Sequence, residues 1–327
     1  MSVIVPSHNR RARLERLLIE LERHHREAGN LEVIVAVDGS NDGTVEMLSA
    51  RRAPYPLRVI AQPRRGPAAA RNAAIAAARG DLLLFLDDDV RPQEGLFERH
   101  LAFHRANARA AAIGRMAAPR EHPLPPWLEW EAALLERQYA RMQRGLIETD
   151  WRVFYTANAS VPRDEVIAAG GFDERFVREE DIELASRLAS RGVSFKFLPD
   201  AVVHHVPDRT FEGWLAAAFE RGRHDLILES NLGFAERSLP DDWRRRHPLS
   251  RTLTRWCVGH EARTRLVVGW LRSAMVAPAP VPRRLLCSAL FSVKYWAGVA
   301  EASGLRARLW RDLIDRQAMG VSRSAMS

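Results

Sequence analysis

Residues 82–89 constrain the fold of this chain most, because five apolar residues run directly into Asp87, Asp88 and Asp89. An apolar run of this length predicts a strand that is buried on both faces, as in a parallel sheet. Since buried charge is costly unless it is paired or bound to a metal, these acids should lie just beyond the carboxyl end of that strand. Open α/β sheets bind ligands at this edge, and clustered carboxylates suit Mg²⁺ or Mn²⁺. The competing interpretation of this acid triplet is a solvated acidic turn.

The composition is that of a globular protein, because 46% of the 327 residues are hydrophobic and 28% are charged. No apolar run approaches the roughly 18 residues of a membrane-spanning helix. The first residues lack the charged and apolar regions of a signal peptide. The two cysteines, Cys257 and Cys287, form neither a disulfide framework nor a zinc pattern. These features favour the reducing cytoplasm.

The basic excess is confined to the C-terminal segment. Residues 241–327 hold 16 Lys and Arg against 6 Asp and Glu, and the remainder holds 33 against 35. Helices predicted at 263–277 and 283–300 combine arginine with Trp270 and Trp296, and Trp310 follows them. Basic helices with tryptophan indicate a peripheral position on an anionic membrane, here the inner face of the cytoplasmic membrane. An ordinary helical packing domain is the alternative, and nucleic acid is not expected because no binding motif accompanies the arginines.

Strands and helices alternate through the first part of the chain. Strands are predicted at 3–5, 31–37, 57–61 and 82–86, and helices at 13–25, 44–49 and 68–78. This alternation predicts βαβ units and a parallel sheet with right-handed crossovers. Asp38 follows the second strand, so it should face the acid triplet across one crevice. The helix that opens at Gly66-Pro67 should aim its N-terminus at the same edge, where it favours an anion such as a diphosphate.

Four motifs follow one another at this edge. They are Val-Ile-Val-Pro-Ser-His-Asn-Arg from residue 3, Val-Asp-Gly-Ser-Asn-Asp-Gly-Thr from 37, Gly-Pro-Ala-Ala-Ala-Arg-Asn from 66 and Phe-Leu-Asp-Asp-Asp from 85. In this order they resemble the family 2 glycosyltransferases, over roughly residues 2–225. The resemblance implies the GT-A fold, an α/β fold with a Rossmann-like, mainly parallel sheet flanked by helices. That domain would occupy 1–240, with a nucleotide-binding half at about 1–114, an acceptor-binding half at about 115–240 and a basic helical extension at 241–327.

The resemblance also implies roles for individual residues. The nucleotide sugar would be bound by residues of the four motifs, namely Pro6, Asn9, Asp38, Asp42, Arg71, Asn72, Asp87 and Asp88. Asp87 and Asp89 match the outer residues of the Asp-x-Asp motif and would hold Mg²⁺ or Mn²⁺, with Asp89 as the direct ligand. His204 or His205, after strands predicted at 193–198 and 202–203, would complete the metal site. In the alternative interpretation Asp42 only caps a helix and Arg71 is a solvated helix position.

Prolines interrupt the alternation at 115–155, and regular structure is not expected there. Trp127, Trp130 and Trp151 lie in this segment. We expect them in a core or a lid rather than stacked on a sugar, because tryptophan is mostly buried. The resemblance places acceptor-binding structure here without a pattern of residues to carry over.

Glu180 and Asp181 begin a predicted amphipathic helix, shortly after Gly-Gly-Phe-Asp-Glu at 170–174. In the simplest interpretation these acids only stabilise the helix dipole. The resemblance implies instead that Asp181 is the general base that takes the proton of the acceptor hydroxyl, with Glu180 as its partner. It also implies inversion by a single displacement. Residues expected near the acceptor are Asn158, Gly171 and Phe172.

The sequence thus predicts a metal-dependent, inverting hexosyltransferase. It would move a sugar from a nucleotide-diphosphate sugar to a hydroxyl acceptor such as a growing polysaccharide, a glycolipid or another cell-envelope glycan. UDP is the expected nucleotide, with GDP and dTDP open. A haloacid-dehalogenase-type phosphatase shares the string Asp-x-Asp-x-Val, but it needs a lysine before its later acids, and Lys196 and Lys294 both follow Asp181. A non-catalytic glycan- or lipid-binding protein on a transferase fold would be expected to have lost the acids, which are all present.

Overall fold

The computed structural model describes residues 1–119, 123–176, 178–232, 239–276 and 281–304. The chain divides into two compact units. The first comprises Met1–Pro123 and Glu131–Pro207, and the second comprises Leu124–Trp130 and Asp208–Ser327. The predicted boundary after residue 240 falls inside the second unit, and Trp310 lies outside the described residues. None of the described helices combines the length and apolar character needed to cross a bilayer.

The described part of the first unit contains one eight-stranded sheet. Its strands are β1 (Ser2–Ser7), β2 (Glu32–Asp38), β3 (Leu57–Gln62), β4 (Leu82–Leu86), β5 (Val90–Pro92), β6 (Ala110–Ala117), β7 (Asn158–Pro162) and β8 (Ser194–His205). Their order across the sheet is β3-β2-β1-β4-β7-β6-β8-β5. Strands β3, β2, β1 and β4 run parallel, as do β6 and β8, whereas β7 is antiparallel to β4 and β6, and β5 is antiparallel to β8. The sheet is therefore mixed and mostly parallel.

Helices flank this sheet. They are α1 (Arg11–His24), α2 (Thr44–Ala50), α3 (Pro67–Ala77), α4 (Leu96–Ala106), α5 (Pro126–Gln143), α6 (Arg163–Ala168) and α7 (Glu180–Ser190). The connections through α1, α2 and α3 follow the predicted alternation. The absence of regular structure expected at 115–155 is wrong, because α5 is an 18-residue helix. Its first residue is Pro126, at a position where the missing N–H of proline has no helical partner to lose.

Two further predictions needed correction. The strands expected at 193–198 and 202–203 form one continuous strand, β8, whose register against β6 shifts between Gly114 and Arg115. This register shift accommodates the residues between the two predicted strands, so that β8 continues through them without a break. The sequence also predicts a helix at 211–222, and this helix continues to Leu232.

Alternate residues of the central strands enter two separate cores, one on each face of the sheet. Ile4 and Phe85 pack on the face covered by α3 and α7. Val5 and Leu84 pack on the opposite face with Leu14 of α1. Because successive side chains point to opposite faces of a strand, both faces must be apolar, and this explains the uninterrupted apolar run of β4.

The second unit is helical over its described residues. Besides the first residues of α5 it contains α8 (Phe211–Leu232), α9 (Leu239–Arg245), α10 (Pro248–Cys257), α11 (Glu261–Val276) and α12 (Arg283–Ala302). Helices α8 and α12 touch through their backbones, since a Cβ at Gly222 or Gly298 would collide with the facing helix. Trp296 is buried, and Tyr295 donates a hydrogen bond of 2.6 Å to Asp225. Helix α12 therefore packs within a helical core, as the alternative to membrane attachment predicts. Trp270 of α11, in contrast, is exposed.

Candidate functional site

The carboxyl ends of β1, β2 and β4 lie at one edge of the sheet, because these strands are parallel neighbours. Asp38 is the last residue of β2, and the acid triplet follows β4 directly. The sheet therefore brings together at this edge the two groups of acids that were expected there.

Asp38 is buried and fixes the loop that leads into α3. Its Oδ1 accepts a hydrogen bond of 2.7 Å from the backbone N–H of Arg65, and its Oδ2 accepts one of 2.8 Å from the backbone N–H of Gly66. Gly39, with φ of 71°, lies so close to this loop that a Cβ would stand 2.8 Å from the backbone nitrogen of Arg64. Both the positive φ and the close approach require glycine there. Asp38 and Gly39 thus shape the entrance to α3.

The loops after β1 and β2 are tied together by Asn9, whose φ of 51° lies in the left-handed region that asparagine tolerates. Its backbone N–H donates to Oγ of Ser40 at 2.9 Å, and its Oδ1 accepts from the backbone N–H of Asn41 at 2.8 Å. Pro6 precedes this loop within β1, opposite Ala36. Asn9 therefore orders the surface beside Asp38.

Asp42 caps two helices. It accepts a hydrogen bond of 2.8 Å from the backbone N–H of Arg11, at the start of α1, and it accepts from the backbone and the hydroxyl of Thr44, at the start of α2. Both carboxylate oxygens are thus engaged at helix N-termini, where carboxylates are favoured. These contacts are those expected from the alternative interpretation, in which Asp42 caps a helix.

The three acids of the triplet each form hydrogen bonds or ion pairs with a different set of side chains. Asp87 accepts a hydrogen bond of 2.9 Å from Nη2 of Arg71. Asp88 accepts from the Ser7 hydroxyl at 2.7 Å and from Nη1 of Arg10 at 2.9 Å. Burial raises the pKa of Asp88 to about 6, although Arg10 and Ser7 lower it in part.

Asp89 is nearly buried and is surrounded by cationic side chains. Its Oδ2 lies 3.0 Å from Nη1 of Arg10 and 3.5 Å from Nη1 of Arg13. Its Oδ1 is buried without a hydrogen-bond partner among the described residues, 3.4 Å from Nε2 of His205. Burial alone would raise the pKa of Asp89, but His205, Arg10 and Arg13 lower it. Asp89 is therefore held as a carboxylate with one oxygen facing an imidazole.

The two histidines at the end of β8 differ in direction, because neighbouring residues of a strand point to opposite faces. His205 faces Asp89, whereas Nδ1 of His204 lies 3.0 Å from the backbone oxygen of Ala118 and its Nε2 contacts the side chain of Gln93. Of the two candidates, the structure brings only His205 to the triplet. Among the residues that the structure describes, no three histidine, cysteine or acidic side chains form a metal-binding group by themselves.

Arg71 links the triplet to α7. It is buried, with its Nη1 donating to Oε1 of Glu180 at 2.7 Å and its Nη2 donating to Asp87 at 2.9 Å. Its guanidinium also lies over the ring of Phe172, 5.6 Å from the ring centroid. Arg71 is therefore not a solvated helix position. One buried cation holds two carboxylates that lie far apart in the sequence.

Asn72 forms a second link between α3 and the segment before α7. Its Oδ1 accepts from the backbone N–H of Phe172, and its Nδ2 donates to the carbonyl of the same residue, both at 2.8 Å. Gly171 has φ of 71°, and a Cβ there would stand 2.7 Å from Oδ1 of Asn72. The Gly-Gly-Phe turn thus fits against Asn72 and leads the chain to Glu180.

Asp181 lies in the first turn of α7 and is partly exposed. Its Oδ1 accepts a hydrogen bond of 2.9 Å from the backbone N–H of Ile182. Partial removal of the Asp181 side chain from water raises its pKa, and the neighbouring carboxylates of Glu180 and Glu179 raise it further. Glu179, just before the helix, has φ of 60°, an uncommon conformation for glutamate that is typical of functional sites. Asp181 is thus an accessible carboxylate with increased basicity.

Two residues expected near the acceptor lie in the interior instead. Phe172 is buried, with its ring edge against Phe85 at 5.5 Å between centroids. Asn158 is buried, and its Nδ2 donates to the backbone oxygens of Arg115 and Ala201. Asn158 lies opposite Leu86 in the β4–β7 pair, one residue before the triplet. The side chains of Phe172 and Asn158 therefore pack beneath the site instead of lining it.

Ser7, Arg10 and Arg13 were not among the expected site residues, yet all three lie beside the triplet. A sequence signal was available, because Ser7 is the last residue of β1, Arg10 and Arg13 follow it, and the carboxyl ends of parallel strands meet at one edge of a sheet. Arg10 and Arg13 are paired with Asp88 and Asp89, and their guanidinium groups have the donor geometry that binds phosphate oxygens.

Similar proteins are known. The model of the family described as Glycosyl transferase family 2 matches residues 2–166. The uncharacterized glycosyltransferase YfnE of Bacillus subtilis is 30% identical over an alignment of 252 residues, with 62% of this chain and 64% of YfnE covered. The chain thus covers less than two thirds of the length of that relative.

Two solved structures share the fold. The mannosyltransferase PcManGT from Pyrobaculum calidifontis, in complex with GDP-Man and Mn²⁺, is 19% identical, with 96% of this chain and 87% of that chain covered and a TM-score of 0.56. S. aureus TarS 1–349, in complex with UDP-GlcNAc, is 16% identical, with 93% and 91% covered and a TM-score of 0.55. These likenesses concern the fold, and they confirm the predicted GT-A architecture.

Proposed function

The chain belongs to glycosyltransferase family 2, and we propose on that premise that it transfers a sugar from a nucleotide-diphosphate sugar to a hydroxyl group, with inversion. The observation that carries this proposal is the pair of contacts made by Arg71. One buried arginine joins Asp87 of the triplet to Glu180, the neighbour of the accessible carboxylate Asp181. A site for the departing diphosphate and a base for the incoming hydroxyl are thereby held next to each other.

The donor would bind at the edge formed by β1, β2 and β4. Pro6, Asn9 and Asp38 would contact the nucleoside, and Arg10 and Arg13 would contact the diphosphate, whose oxygens bind bidentate guanidinium groups well. UDP is the nucleotide we expect, and similar folds have been solved with UDP-GlcNAc and with GDP-Man. The acceptor would be a glycan or a lipid-linked glycan.

Asp89 and His205 fit a divalent cation. Among the residues that the structure describes, one buried oxygen of the Asp89 carboxylate has no hydrogen-bond partner, and Nε2 of His205 lies 3.4 Å from it. Carboxylate and imidazole both ligate divalent metals, and Mg²⁺ in particular is commonly held by one or two carboxylates together with substrate phosphates. Asp87 is paired with Arg71 and His204 faces Ala118, so Asp89 and His205 are the ligands we propose. When bound, the cation would neutralise charge on the diphosphate.

Asp181 would take the proton of the acceptor hydroxyl as that oxygen attacks the anomeric carbon. Glu180 would orient this end of α7 through its ion pair with Arg71, rather than take the proton itself. The phosphatase alternative lacks its lysine, and the family match disfavours it further. We also propose that segment 241–327 attaches the protein peripherally to the inner face of an anionic membrane, which would bring it close to lipid-linked acceptors.

Nucleotide binding tests the proposal. UDP with Mn²⁺ should raise the melting temperature, because ligands that bind only the folded state stabilise it by about 2.7 kcal/mol at 100 times Kd. For a chain of this size the shift would be roughly 5–10 °C. GDP, dTDP and UMP serve as comparisons, each with and without Mn²⁺. A shift without product from any sugar donor would favour the non-catalytic binding protein, and no shift with any diphosphate would contradict the proposal.

The rate of transfer should rise with pH. The pKa of Asp181 is raised by burial and by Glu180 and Glu179, against the opposing effects of Arg71 and the N–H of Ile182. A general base acts only when deprotonated, so kcat should titrate with an apparent pKa above the roughly 4 of an ordinary aspartic acid. Rates should be measured with Mg²⁺ across mildly acidic to mildly basic pH, and a flat profile would contradict the assignment.

Stability should change in the opposite direction. A carboxylate whose pKa is raised in the folded state binds its proton more tightly there than in the unfolded chain, so its contribution to stability is lost as pH rises through the folded pKa. An increase of activity with pH therefore cannot come from this group stabilising the fold. Melting temperatures taken over the same pH range separate the two effects.

A further inference from the structure

Four large apolar side chains stand exposed on two consecutive helices of the second unit. Leu249 and Trp256 of α10 are 41% and 45% exposed, and Leu266 and Trp270 of α11 are 64% and 58% exposed. Eight large apolar side chains are exposed among the described residues, so half of them lie within these two helices. Isolated exposed apolar residues are ordinary, but a concentration of them marks an interaction surface.

These side chains lie on the faces turned away from the core. On α10, Leu249 and Trp256 are seven residues apart and share one face, while Thr254 and Cys257 are buried. On α11, Leu266 and Trp270 are one turn apart, while Val267, Leu271 and Met275 are buried. Each helix therefore has a buried stripe that packs in the core and a second apolar stripe that does not.

Arg263 joins the two exposed stripes. It precedes Leu266 by three residues, so it lies on the same face of α11, and its guanidinium stands over the ring of Trp256, 5.4 Å from the ring centroid. The exposed side chains of α11 are thus continuous with Trp256 of α10. We call this surface, formed by Leu249, Trp256, Arg263, Leu266 and Trp270, the α10–α11 face.

The two helices that form this face carry a net positive charge, although Arg272 is paired with Glu212 of α8 at 2.6 Å. Residues 248–276 contain five arginines, Arg251, Arg255, Arg263, Arg265 and Arg272, and a single acid, Glu261. The acid pairs with Arg265 at 3.3 Å, within one exposed turn of the helix. An apolar centre with tryptophan and a basic surround is the composition of helices that lie in the interface of an anionic membrane.

We propose that the α10–α11 face docks on an anionic lipid bilayer. Trp256, Leu266 and Trp270 would enter the headgroup boundary, and the arginines would contact lipid phosphates. Two copies of this chain are a poorer match, because a symmetric dimer through this face would set arginine against arginine. A nucleic acid would satisfy the arginines but would leave Leu266 in contact with a charged backbone. The inference rests on the proposed membrane attachment and assigns it to these helices rather than to the whole basic segment.

Vesicle flotation of the full chain tests this surface. The wild type should float with phosphatidylcholine–phosphatidylglycerol vesicles at low salt and not with pure phosphatidylcholine, and binding should fall as salt rises. Leu266→Glu together with Trp270→Glu should weaken binding roughly tenfold or more, because both changes add repulsive charge and remove apolar area. Arg263→Gln should weaken it less, by roughly fivefold.

Matched controls carry the same chemical change elsewhere. Ile19→Glu with Leu146→Glu alters two exposed apolar residues of the first unit and should leave flotation unchanged. The proposal is overturned if wild type does not float with the anionic vesicles, or if L266E/W270E floats as well as wild type while retaining its melting temperature. It is also overturned if the same variant only converts a dimer into a monomer on gel filtration. The UDP–Mn²⁺ melting shift is measured on every sample, so that failure of docking and failure of the proposed transfer reaction are recorded separately.

Discussion

Asp181→Asn should lower kcat by roughly 10²–10⁴-fold, the usual contribution of a positioned general base. Asparagine keeps the size of the side chain and can still accept the hydrogen bond that Oδ1 of Asp181 receives from Ile182, so the first turn of α7 should persist. What it loses is the ability to accept a proton from the acceptor hydroxyl. UDP binding should survive, because the groups proposed to hold the nucleotide lie on the other side of Arg71. Calorimetry with UDP and a product assay on the same preparation measure both quantities.

Asp164→Asn is the matched control. Asp164 also lies in the first turn of a helix, α6, but its side chain is almost fully exposed. If Asp181 acted only through the helix dipole, its substitution would cost at most about 1 kcal/mol of stability and little activity, as at Asp164. Near-normal transfer by Asp181→Asn would therefore exclude it as the base. Glu180→Gln would then be the next variant to assay, with the loss of its ion pair to Arg71 taken into account.

The parallel half of the sheet was predictable because its signals are local. Each strand from β1 to β4 carries its own apolar run, and each intervening helix carries its own periodic pattern. Strand β1 pairs with β2 and β2 pairs with β3, so these neighbours in sequence are neighbours in space, whereas β4 pairs with β1 instead of β3. The acids at the strand ends followed from the same argument. The insertion of β7 between β4 and β6 was not predictable in this way. Five residues that pair antiparallel with a strand about 75 positions earlier carry no local signal of that partner.

Side-chain contacts could not be predicted where they depend on such distant partners. Arg71 was assigned to the donor from its motif, and its position 109 residues from Glu180 gave no hint of their ion pair. The sequence could not show which of His204 and His205 is the metal ligand. Strand alternation predicts that their side chains point to opposite faces, but it does not predict which one faces the acids. Asn158 is polar and follows a loop, so its sequence position does not predict burial. It is buried because its side-chain amide donates hydrogen bonds to the backbone carbonyls of Arg115 and Ala201.

Asp89→Ala should lower transfer by roughly 10²–10³-fold, since the loss of one preorganised group that stabilises charge in the transition state commonly costs that much. The substitution removes the only carboxylate that faces His205 among the described residues and leaves Arg10 and Arg13 without their shared partner. The fold should remain, because the backbone hydrogen bond of 2.8 Å from the N–H of Val206 to the carbonyl of Asp89 does not involve the side chain. The Mn²⁺-dependent part of the UDP melting shift should disappear in this variant.

Substitution of His205 tests the proposed metal site, and substitution of His204 is the matched control. His205→Ala should weaken Mn²⁺ binding by at least roughly 10–100-fold, the cost usually seen even for groups one step removed from the metal. His204→Ala should leave Mn²⁺ binding near that of the wild type, because its ring contacts Gln93 and the carbonyl of Ala118 instead of the triplet. Titration of Mn²⁺ against transfer rate, after treatment with a chelator, distinguishes the two variants. Equal effects of both substitutions would reject His205 as a ligand, and full activity of the chelated wild type would reject the metal site as a whole, leaving Arg10 and Arg13 to stabilise the departing diphosphate.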